Sequence, residues 1–473
     1  MTWDAVVVGA GPNGLAAAVT LVRAGLRVLV REANDTVGGA ARTEELTLPG
    51  YRHDVGSAVY PLGAGSPFLS SLPLEPHGLA WVHPETPLAH ALDEGRAVTL
   101  HRSVEATATA LGHDAGAYTD LVAPLVDAWP TLAEHVLDTP LRPPRNPVLM
   151  ARFAVRALRP ATSVARRFRT VEARALLAGN AAHSGLPLDQ APSAAVALVL
   201  LAAGHAVGWP FPRGGAGALT AALASYLESL GGVIETAAPV ASLEELGDAP
   251  AVLLDLTPRQ VIAVAGDRLP PAYRRHLGRW RYGPGAFKVD WALDGPIPWA
   301  AEACRQAGTV HVGGTLEEIA EAEAAPWRDA PPSAPFVLVA QPTRFDTTRA
   351  PPGGHTAWAY CHVPNGWSGD ATEAVERQIE RFAPGFGRRI VARRVHAPAD
   401  LEAWDANLVG GDVNGGAPTL RQTLARPTFS LSPWATPVDG LYLCSASTPP
   451  GGGVHGMCGV HAAREALKRT FGR

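Results

Sequence analysis

Cysteine and lysine are both scarce in this chain. Its 473 residues include four cysteines, none in a C-x-x-C pair, so we expect no disulfide framework, no dithiol redox motif and no metal site. Only two of the 40 basic residues are lysines, Lys288 and Lys468. The longest apolar run covers residues 194–204, well short of the ~20 residues that a membrane-spanning helix needs. The chain is therefore not expected to cross a bilayer.

The overall charge and composition are those of a globular protein. A net charge of -4 lacks the basic surplus that proteins use to bind nucleic acid, so no nucleic-acid partner is expected. Hydrophobic residues make up 47% of the chain and charged residues 18%, which is too apolar for intrinsic disorder. At roughly 150 residues per domain, the length predicts about three domains, or fewer large ones.

A glycine-rich turn between a strand and a helix lies at the amino terminus. Apolar residues 4–8 are typical of a buried parallel strand, and a helical stretch ends near Ala24. A second strand then ends at an acid, Glu32. Such a turn lets a pyrophosphate approach the helix start, while the acid accepts hydrogen bonds from ribose hydroxyls. This predicts a dinucleotide site, with a chance glycine turn as the alternative, formed by Gly9, Gly11, Pro12, Asn13, Gly14, Glu32 and Ala33.

The position of this turn also carries an expectation about the cell compartment. The first glycine of the motif is residue 9, which leaves no room for a signal or transit peptide before the first strand. We therefore expect a cytoplasmic protein.

Two segments that follow the turn resemble a known family. Residues 37–43 and 50–56 resemble the double-glycine and Asp-x-Gly segments of FAD proteins in the amine-oxidase and phytoene-dehydrogenase superfamily. Consecutive glycines expose backbone N–H groups and let a flavin lie against the main chain. The family usually has arginine directly after the glycine pair, whereas this chain has Ala40 there and Arg42 two positions later. The alternative is a glycine-rich surface loop. The resemblance implies bound FAD with contacts from Gly38, Gly39, Ala40 and Arg42.

The resemblance continues in pieces along nearly the whole chain. Residues 210–215 precede a helix over 216–230 and a strand over 233–236, and Val240 follows where the family holds adenine. Near the carboxyl end, residues 439–457 resemble the desaturase signature, with a strand over 441–444, a triple-glycine loop and the last helix. In this resemblance, the start of the last helix places backbone N–H donors against the pyrimidine carbonyl of the flavin. The contacts implied are Ser445, Ala446, Gly453, Val454 and His455. Residues 87–90, 287–290, 360–364 and 453–457 resemble in particular the branch of pyridine nucleotide-disulfide oxidoreductase domain proteins.

Lys288 and His455 are the candidate catalytic residues. Alternation along 287–293 places Lys288 and Asp290 on one strand face and four apolar residues on the other. In the related amine oxidases, a lysine on the equivalent strand reaches the flavin N5 through a water molecule, a task that suits a compact ammonium. The alternatives are an ion pair with Asp290 or a surface position. His455, at the start of the last helix, could donate to flavin or substrate, and His53 is a weaker candidate.

Three alternating residues on a later strand predict part of a substrate pocket. Trp358, Tyr360 and His362 share one face of a strand, and each combines an apolar body with a polar tip. Core packing or solvent exposure is the alternative.

A basic helical segment lies in the middle of the chain. Between Arg142 and Arg174 nine arginines accompany one acid, Glu172, and a helix over 148–159 carries several of them on one stripe. Such a helix can lie on an anionic membrane, so peripheral membrane contact is one hypothesis; a solvated face of a helical subdomain is the other.

The predicted fold is α/β: a discontinuous doubly wound Rossmann-type FAD domain, an antiparallel-sheet substrate domain and a helical cap. The ranges expected are 1–75, 205–265 and 405–473 for the FAD domain, 76–110 and 266–404 for the substrate domain, and 111–204 for the cap.

The favoured function is FAD-dependent oxidation, desaturation or isomerisation of a largely apolar small molecule by hydride transfer to flavin N5. The family resemblance suggests an isoprenoid substrate, with oxygen or a quinone as electron acceptor. A flavin amine oxidase is the second reading, which would require two parallel aromatic rings beside the flavin. A protein that binds FAD only structurally is the third. The chain has no G-x-S-x-G elbow for acyl transfer.

Overall fold

The computed structural model describes residues 2–473, in which two large sheets and two short ribbons are surrounded by helices. The strands are β1 (Ala5–Val8), β2 (Val28–Arg31), β3 (Thr43–Glu44), β4 (His53–Asp54), β5 (Trp81–Val82), β6 (Thr86–Ala91), β7 (Ala97–Leu100), β8 (Phe211–Pro212), β9 (Val233–Glu235), β10 (Ala251–Leu254), β11 (Gly285–Leu293), β12 (Ala307–Val312), β13 (Val337–Ala340), β14 (His355–Val363), β15 (Ile390–His396) and β16 (Leu441–Leu443).

The helices occur throughout the chain and are densest between β7 and β8. They are α1 (Pro12–Arg23), α2 (Pro61–Ala64), α3 (Val104–Ala110), α4 (Ala115–Asp127), α5 (Trp129–Val136), α6 (Pro147–Ala157), α7 (Ala161–Ala165), α8 (Val171–Ala182), α9 (Ser193–Ala206), α10 (Ala216–Ser229), α11 (Pro258–Ala265), α12 (Pro271–Leu277), α13 (Glu302–Gln306), α14 (Leu316–Ala324), α15 (Thr372–Phe382), α16 (Pro398–Trp404), α17 (Leu420–Leu424) and α18 (Met457–Thr470).

The first sheet is parallel and doubly wound. Its order is β16-β10-β1-β2-β9, and every neighbouring pair runs in the same direction. Its central strands are continuous apolar runs because helices cover both faces. On one face α1, α10 and α18 pack into a shared core, and α11 packs on the other. The Rossmann-type fold predicted from the amino-terminal pattern is confirmed.

The first helix ends where the glycine pattern indicates. Ala24 is the C-cap of α1, and Gly25 follows with a φ of +83°. A left-handed residue in this position is unfavourable for any side chain with a Cβ, which is why glycine commonly ends helices. The chain can therefore turn back at once into β2.

The second sheet has seven strands in the order β15-β11-β14-β13-β12-β6-β7. It is antiparallel as predicted except at β6 and β12, which pair in parallel. The apolar face of β11 packs beneath the sheet with α15, as the alternation along 287–293 predicts. The opposite face turns toward the cap.

Helices α3–α9 form the cap over the second sheet. Their apolar faces share one large core with side chains from β6, β7, β13 and β14. The predicted helix over 148–159 is observed as α6, and the strands of both sheets lie inside the ranges assigned to their domains, whose boundaries stay a prediction. Among residues 2–473, no helix is both long enough and apolar enough for a bilayer crossing.

Candidate functional site

The two ends of the chain meet through their helices. The Cα of Gly459 in α18 lies against the carbonyl oxygen of Asn13 in α1, and Gly456 lies beside Ala16. The backbone carbonyl of His455 accepts a hydrogen bond of 2.7 Å from the Ser66 hydroxyl. Because glycines stand at the contact, α1 and α18 approach closely. The amino-terminal glycine turn and the loop before α18 are therefore neighbours.

Glu32 is held beside the glycine turn. Its Oε2 accepts the N–H of Ala10 at 2.7 Å, and its Oε1 accepts the backbone N–H and the side-chain amide of Asn34 at 2.9 and 3.0 Å. A second lone pair on Oε2 remains free to accept a hydrogen bond. The side chain is buried at the end of β2, in the position from which such an acid reaches a ribose.

Asp255 also lies at the glycine turn, and sequence reasoning missed it. Its Oδ2 accepts the N–H of Gly14 at 2.9 Å, and a Cβ on Gly11 would lie 3.0 Å from that oxygen. Burial raises the pKa of Asp255 to about 8, so the acid is largely neutral at pH 7. One signal was available in the sequence. Asp255 directly follows a short apolar run, 251–254, and ligands of parallel sheets bind at the carboxyl ends of such strands.

The double glycine packs directly against the amino-terminal turn. Gly38 donates its N–H to the carbonyl of Ala10 at 2.9 Å, and a Cβ on Gly39 would lie 3.1 Å from the Cα of Gly11. Gly38 and Gly39 have φ values of +133° and +51°, which side chains rarely tolerate. The two glycine segments predicted to bind one cofactor are therefore adjacent.

Arg42 reaches across this cradle to Trp404. Its guanidinium lies 4.0 Å from the Trp404 ring centroid and donates to the Trp404 carbonyl at 3.1 Å. Its Nε is buried, has the Glu44 carboxylate at 4.0 Å and makes no hydrogen bond among residues 2–473. An unsatisfied buried donor beside the glycine pair is available to an anion.

A cavity of about 1380 Å³ lies between the cradle, the second sheet and the cap. Ligand sites in proteins commonly occupy roughly 300–1,000 Å³, so this volume suffices for a large ligand or for two. Cofactor-side lining comes from Ala40, Gly56, Gly453, Val454 and His455, and substrate-side lining includes Lys288, Trp358 and Tyr360. The structure thus brings together residues from both ends of the chain and from the second sheet.

Trp358 and Tyr360 form part of the cavity wall, whereas His362 does not. The three rings alternate along β14 with centroids 5.4 Å apart at each step. The indole N–H of Trp358 donates to the carbonyl of Gly56 at 3.1 Å. His362 instead pairs with Glu323 at 2.8 Å, and the nearby carboxylate raises the pKa of His362 against the opposing effect of burial. Two of the three predicted pocket residues therefore face the cavity.

Lys288 lines the cavity and also forms the ion pair that was its alternative role. Its ammonium contacts the Asp290 carboxylate, and both groups are buried. Burial lowers the pKa of Lys288 and raises that of Asp290 to about 6, because both ions lose hydration. Asp290 also has His53 Nδ1 at 3.7 Å and His396 Nδ1 at 3.8 Å.

His53 lies behind Lys288 rather than in the cavity wall. Its Nε2 makes a 2.8 Å hydrogen bond with the Thr47 hydroxyl. Burial lowers the pKa of His53 to about 3, and the positive charge of Lys288 adds to this effect. His53 is placed to support the Lys288–Asp290 pair and not to touch a ligand in the cavity.

His455 is a neutral imidazole in the cavity wall. Its Nδ1 accepts the N–H of Met457 at 3.0 Å, so the proton is on Nε2, which has no partner among residues 2–473. Burial lowers the pKa of His455 to about 4. The preceding residue, Val454, has a φ of +53°, an outlier for a β-branched side chain and typical of a functional loop.

Three further residues predicted to contact the cofactor, Ser445, Ala446 and Val240, follow strands of the first sheet. Ser445 donates its hydroxyl to the carbonyl of Leu256 at 2.8 Å, and the carbonyl of Ala446 accepts from Arg426 at 3.0 Å, so both hold the end of β16 in place. Val240 lies beyond β9, and within residues 2–473 its amide and carbonyl make no hydrogen bond.

Comparison with known proteins agrees with this geometry. Residues 7–70 match the NAD(P)-binding Rossmann-like domain family. The chain is 29% identical to pyridine nucleotide-disulfide oxidoreductase domain-containing protein 2 of Mus musculus, covering 98% of this chain and 93% of that one. It is 27% identical to phytoene dehydrogenase of Streptomyces griseus, over 84% and 82% of the two chains. A solved putrescine oxidase has the same fold, with a TM-score of 0.64 at 19% identity and 100% coverage of both chains.

These relatives and the shared fold fit a member of the amine-oxidase and phytoene-dehydrogenase superfamily. The chain is an oxidoreductase, and its Rossmann-like domain fits a flavin cofactor. The residues present fit such a group, because a cradle of glycines, an acceptor acid and the unpaired Nε of the buried Arg42 lie in one place.

The thiols of this chain are not arranged for redox chemistry. Its cysteines are free and buried, and burial raises the thiol pKa of Cys304, Cys361, Cys444 and Cys458. A protonated buried thiol is a poor nucleophile. In the part of the chain from residue 2 onward, no group of three or more His, Cys, Asp or Glu side chains could hold a metal ion.

Proposed function

We propose that this chain binds FAD and uses it to oxidise a largely apolar small molecule. The observation that carries the proposal is the large cavity, which extends from Ala40 and Gly453 to the apolar helices of the cap. A cofactor held only for structure needs no such space beside it. The cavity therefore favours turnover over a purely structural role.

The chain's own residues suit each part of FAD. The start of α1 with Gly11 and Gly39 would hold the diphosphate, Glu32 the ribose, and the free backbone groups of Val240 the adenine. The loop over 453–456 would border the flavin ring. Bound FAD supplies a hydride acceptor at its N5 atom, so the protein has only to position a substrate bond and stabilise charge.

Lys288 and His455 would act at the cavity surface. The Lys288 ammonium, held by Asp290, can polarise a water molecule in the cavity, and the neutral Nε2–H of His455 can donate one hydrogen bond. Both groups are desolvated, which strengthens their electrostatic effect on a bound ligand. Molecular oxygen or a quinone would serve as the final electron acceptor.

The substrate side of the cavity is mainly apolar. Such a wall excludes water and binds hydrocarbon surface, which supports a lipid-like or isoprenoid substrate. The cap and sheet contribute Met150, Phe153, Ala157, Val196, Val199 and Leu338 to this wall.

The mouth of the cavity is suited to take such a substrate from a membrane surface. Leu158, Leu420 and Leu424 line the cavity and are also exposed at its rim. On α6, Val148 and Val155 are each 61% exposed between arginines. Exposed apolar residues beside cations support peripheral contact of the 148–159 helix with an anionic bilayer.

Part of the predicted basic segment between Arg142 and Arg174 has partners within the protein. Arg142 pairs with Asp138, and Arg145 pairs with Glu134 at 3.3 Å. Arg156 donates to the carbonyl of Asp120 at 3.3 Å. Arg152 and Arg159 remain exposed, so the proposed membrane contact relies on them and on the apolar rim.

Amine oxidation has less support from the cavity. The adjacent rings of Trp358 and Tyr360 meet at 68°, which is an edge-on arrangement and not a parallel pair. The observed rings therefore lack the geometry that the amine-oxidase reading requires.

Anaerobic reduction tests the proposal. Purified protein is titrated with FAD, and the oxidised holoprotein is mixed anaerobically with substrate candidates while bleaching of the flavin absorbance is followed; oxygen is then added to follow reoxidation, with dithionite giving the fully reduced reference. We expect stoichiometric FAD uptake and oxidation of apolar isoprenoids in preference to primary amines. Preferential oxidation of amines would contradict the apolar assignment.

A further inference from the structure

A pair of histidines lies in the cavity wall away from the predicted cofactor cradle. His183 is the C-cap of α8 and lines the cavity. Its Nε2 lies 2.9 Å from the Nε2 of His311, which is completely buried in β12. The Trp209 ring packs edge-on against both imidazoles, with centroids at 5.4 and 5.8 Å. These contacts hold the His183 ring in one orientation.

Strand register fixes how far this pair lies from Lys288. Lys288 is paired with Tyr360, Tyr360 with Leu338, and Leu338 with His311, so the four residues form one row across the sheet. Neighbouring strands are about 4.8 Å apart, which places His311 about 14 Å from Lys288. The row is the floor of the cavity, and His183 stands at its far end.

Both imidazoles are neutral. Burial lowers the pKa of His183 to about 3 and that of His311 well below its usual value. Each ring therefore has one N–H donor and one bare acceptor nitrogen. The 2.9 Å contact between them must join the N–H of one to the lone pair of the other.

The inner side of the pair is closed by a third imidazole. His311 Nδ1 and His90 Nδ1 both face Gly179, where a Cβ would lie 2.5 Å from the first and 2.8 Å from the second, and neither has a hydrogen-bond partner among residues 2–473. His90 Nε2 donates to the carbonyl of Gly314 at 2.7 Å, so His90 Nδ1 is a bare acceptor. Whichever ring of the His183–His311 pair donates, the Nδ1 of His183 carries either a proton or a lone pair that is free for a ligand.

We propose that the Nδ1 of His183 forms a hydrogen bond with a hydroxyl group of the substrate, which can both donate and accept. Within residues 2–473 this nitrogen has no partner, and the lining of the same cavity includes apolar Val196, Val199 and Leu338. The substrate class is then an elongated apolar molecule with a hydroxyl group at the end remote from the oxidised bond. This inference rests on the proposed function only in calling the ligand a substrate, because binding in the cavity requires no turnover.

Matched probes test the inference without a known substrate. Dissociation constants of 1-dodecanol and dodecane are measured by quenching of the cavity tryptophans, for the wild-type protein and for His183→Leu and His183→Gln. We expect wild-type protein to bind the alcohol more tightly, and His183→Leu to lose about five-fold of this preference, the usual worth of one neutral hydrogen bond. His183→Gln retains an N–H donor and should keep most of the preference.

Three results would overturn the inference. They are equal binding of both probes to wild-type protein, an unchanged preference in His183→Leu, and an equal loss in the control variant His135→Leu, which alters a histidine elsewhere in the lining. If a variant fails to fold, equal binding of 1-dodecanol and dodecane to the wild-type protein would still overturn the inference. FAD uptake is measured on the same samples: its absence would refute the proposed function, while the probe ratio would still report on His183.

Discussion

The Cα of Gly459 lies against the carbonyl oxygen of Asn13, with no room for a Cβ between α18 and α1. This contact brings together segments more than four hundred residues apart in the chain. It holds the loop before α18 beside the glycine turn, and thus forms the cofactor side of the cavity from both ends of the protein.

Gly459→Ala should destabilise the fold. The added methyl group would meet backbone, which cannot rotate away, and such overpacking costs about 1–3 kcal/mol. Urea denaturation measures the loss. Gly116→Ala in α4 is the control, because no atom lies within 4 Å of its added Cβ and alanine favours a helix. Equal stability of the two variants would contradict close packing at Gly459.

Glu32→Ala should weaken FAD binding. A hydrogen bond to a charged carboxylate is worth about 1.5–3 kcal/mol, so loss of even one ribose contact should raise the dissociation constant by at least about ten-fold. Fluorescence quenching of added FAD measures the change. Glu235→Ala removes a half-exposed acid at the end of neighbouring β9 and should leave affinity unaltered. Unaltered affinity in Glu32→Ala would show that another group holds the ribose.

Asp255→Asn should make the protein more stable at alkaline pH. The folded-state pKa of Asp255 is raised to about 8 from an ordinary value of 3.8, so the folded chain holds a proton that the unfolded chain releases. Stability from this group is complete below about pH 4 and is lost as the pH rises toward 8. Asparagine stays neutral and can still accept the Gly14 N–H.

The pH dependence of the melting temperature tests this reasoning. The gain in Asp255→Asn should be largest near pH 8 and small near pH 4. Asp267→Asn is the control, because that carboxylate is 97% exposed and should produce no such pH-dependent gain. A constant difference between Asp255→Asn and wild type at all pH values would rule out titration of Asp255.

Lys288→Met should slow reoxidation of the reduced flavin by oxygen, on the order of a hundred-fold if the ammonium supplies the main stabilisation of developing charge. The substitution also leaves Asp290 without its partner in a buried site, which costs stability. Lys288→Met combined with Asp290→Asn removes both charges and separates the two effects. Stopped-flow absorbance of the flavin measures the rate. An unchanged rate in both variants would exclude Lys288 from this step.

A negative charge on the exposed face of α6 should weaken membrane contact. Val155→Asp places an anion on the exposed face of α6 and should reduce sedimentation with vesicles of anionic lipid, since burial of an apolar residue and attraction to the headgroups are both lost. Val233→Asp, at the distant edge of the first sheet, is the control. Equal sedimentation of the wild type and both variants would contradict a docking role for α6.

Local sequence patterns were sufficient for much of the fold and for part of the site. The glycine turn, Glu32 and the alternation around Lys288 depend on neighbours a few residues away, so their strand and helix context could be predicted. Asp255 was missed because its partner, Gly14, is 241 positions away. The turn of His362 toward Glu323, the parallel pairing of β6 with β12 and the His183–His311 contact likewise arise only when distant segments pack together.

A crystal structure of the FAD-loaded protein tests the central claim most directly. We expect the diphosphate at the start of α1 and the isoalloxazine ring inside the cavity, between Ala40 and the loop over 453–456, with Lys288 on its substrate side. A flavin ring outside this cavity, or folded protein that takes up no FAD at saturating concentration, would contradict it.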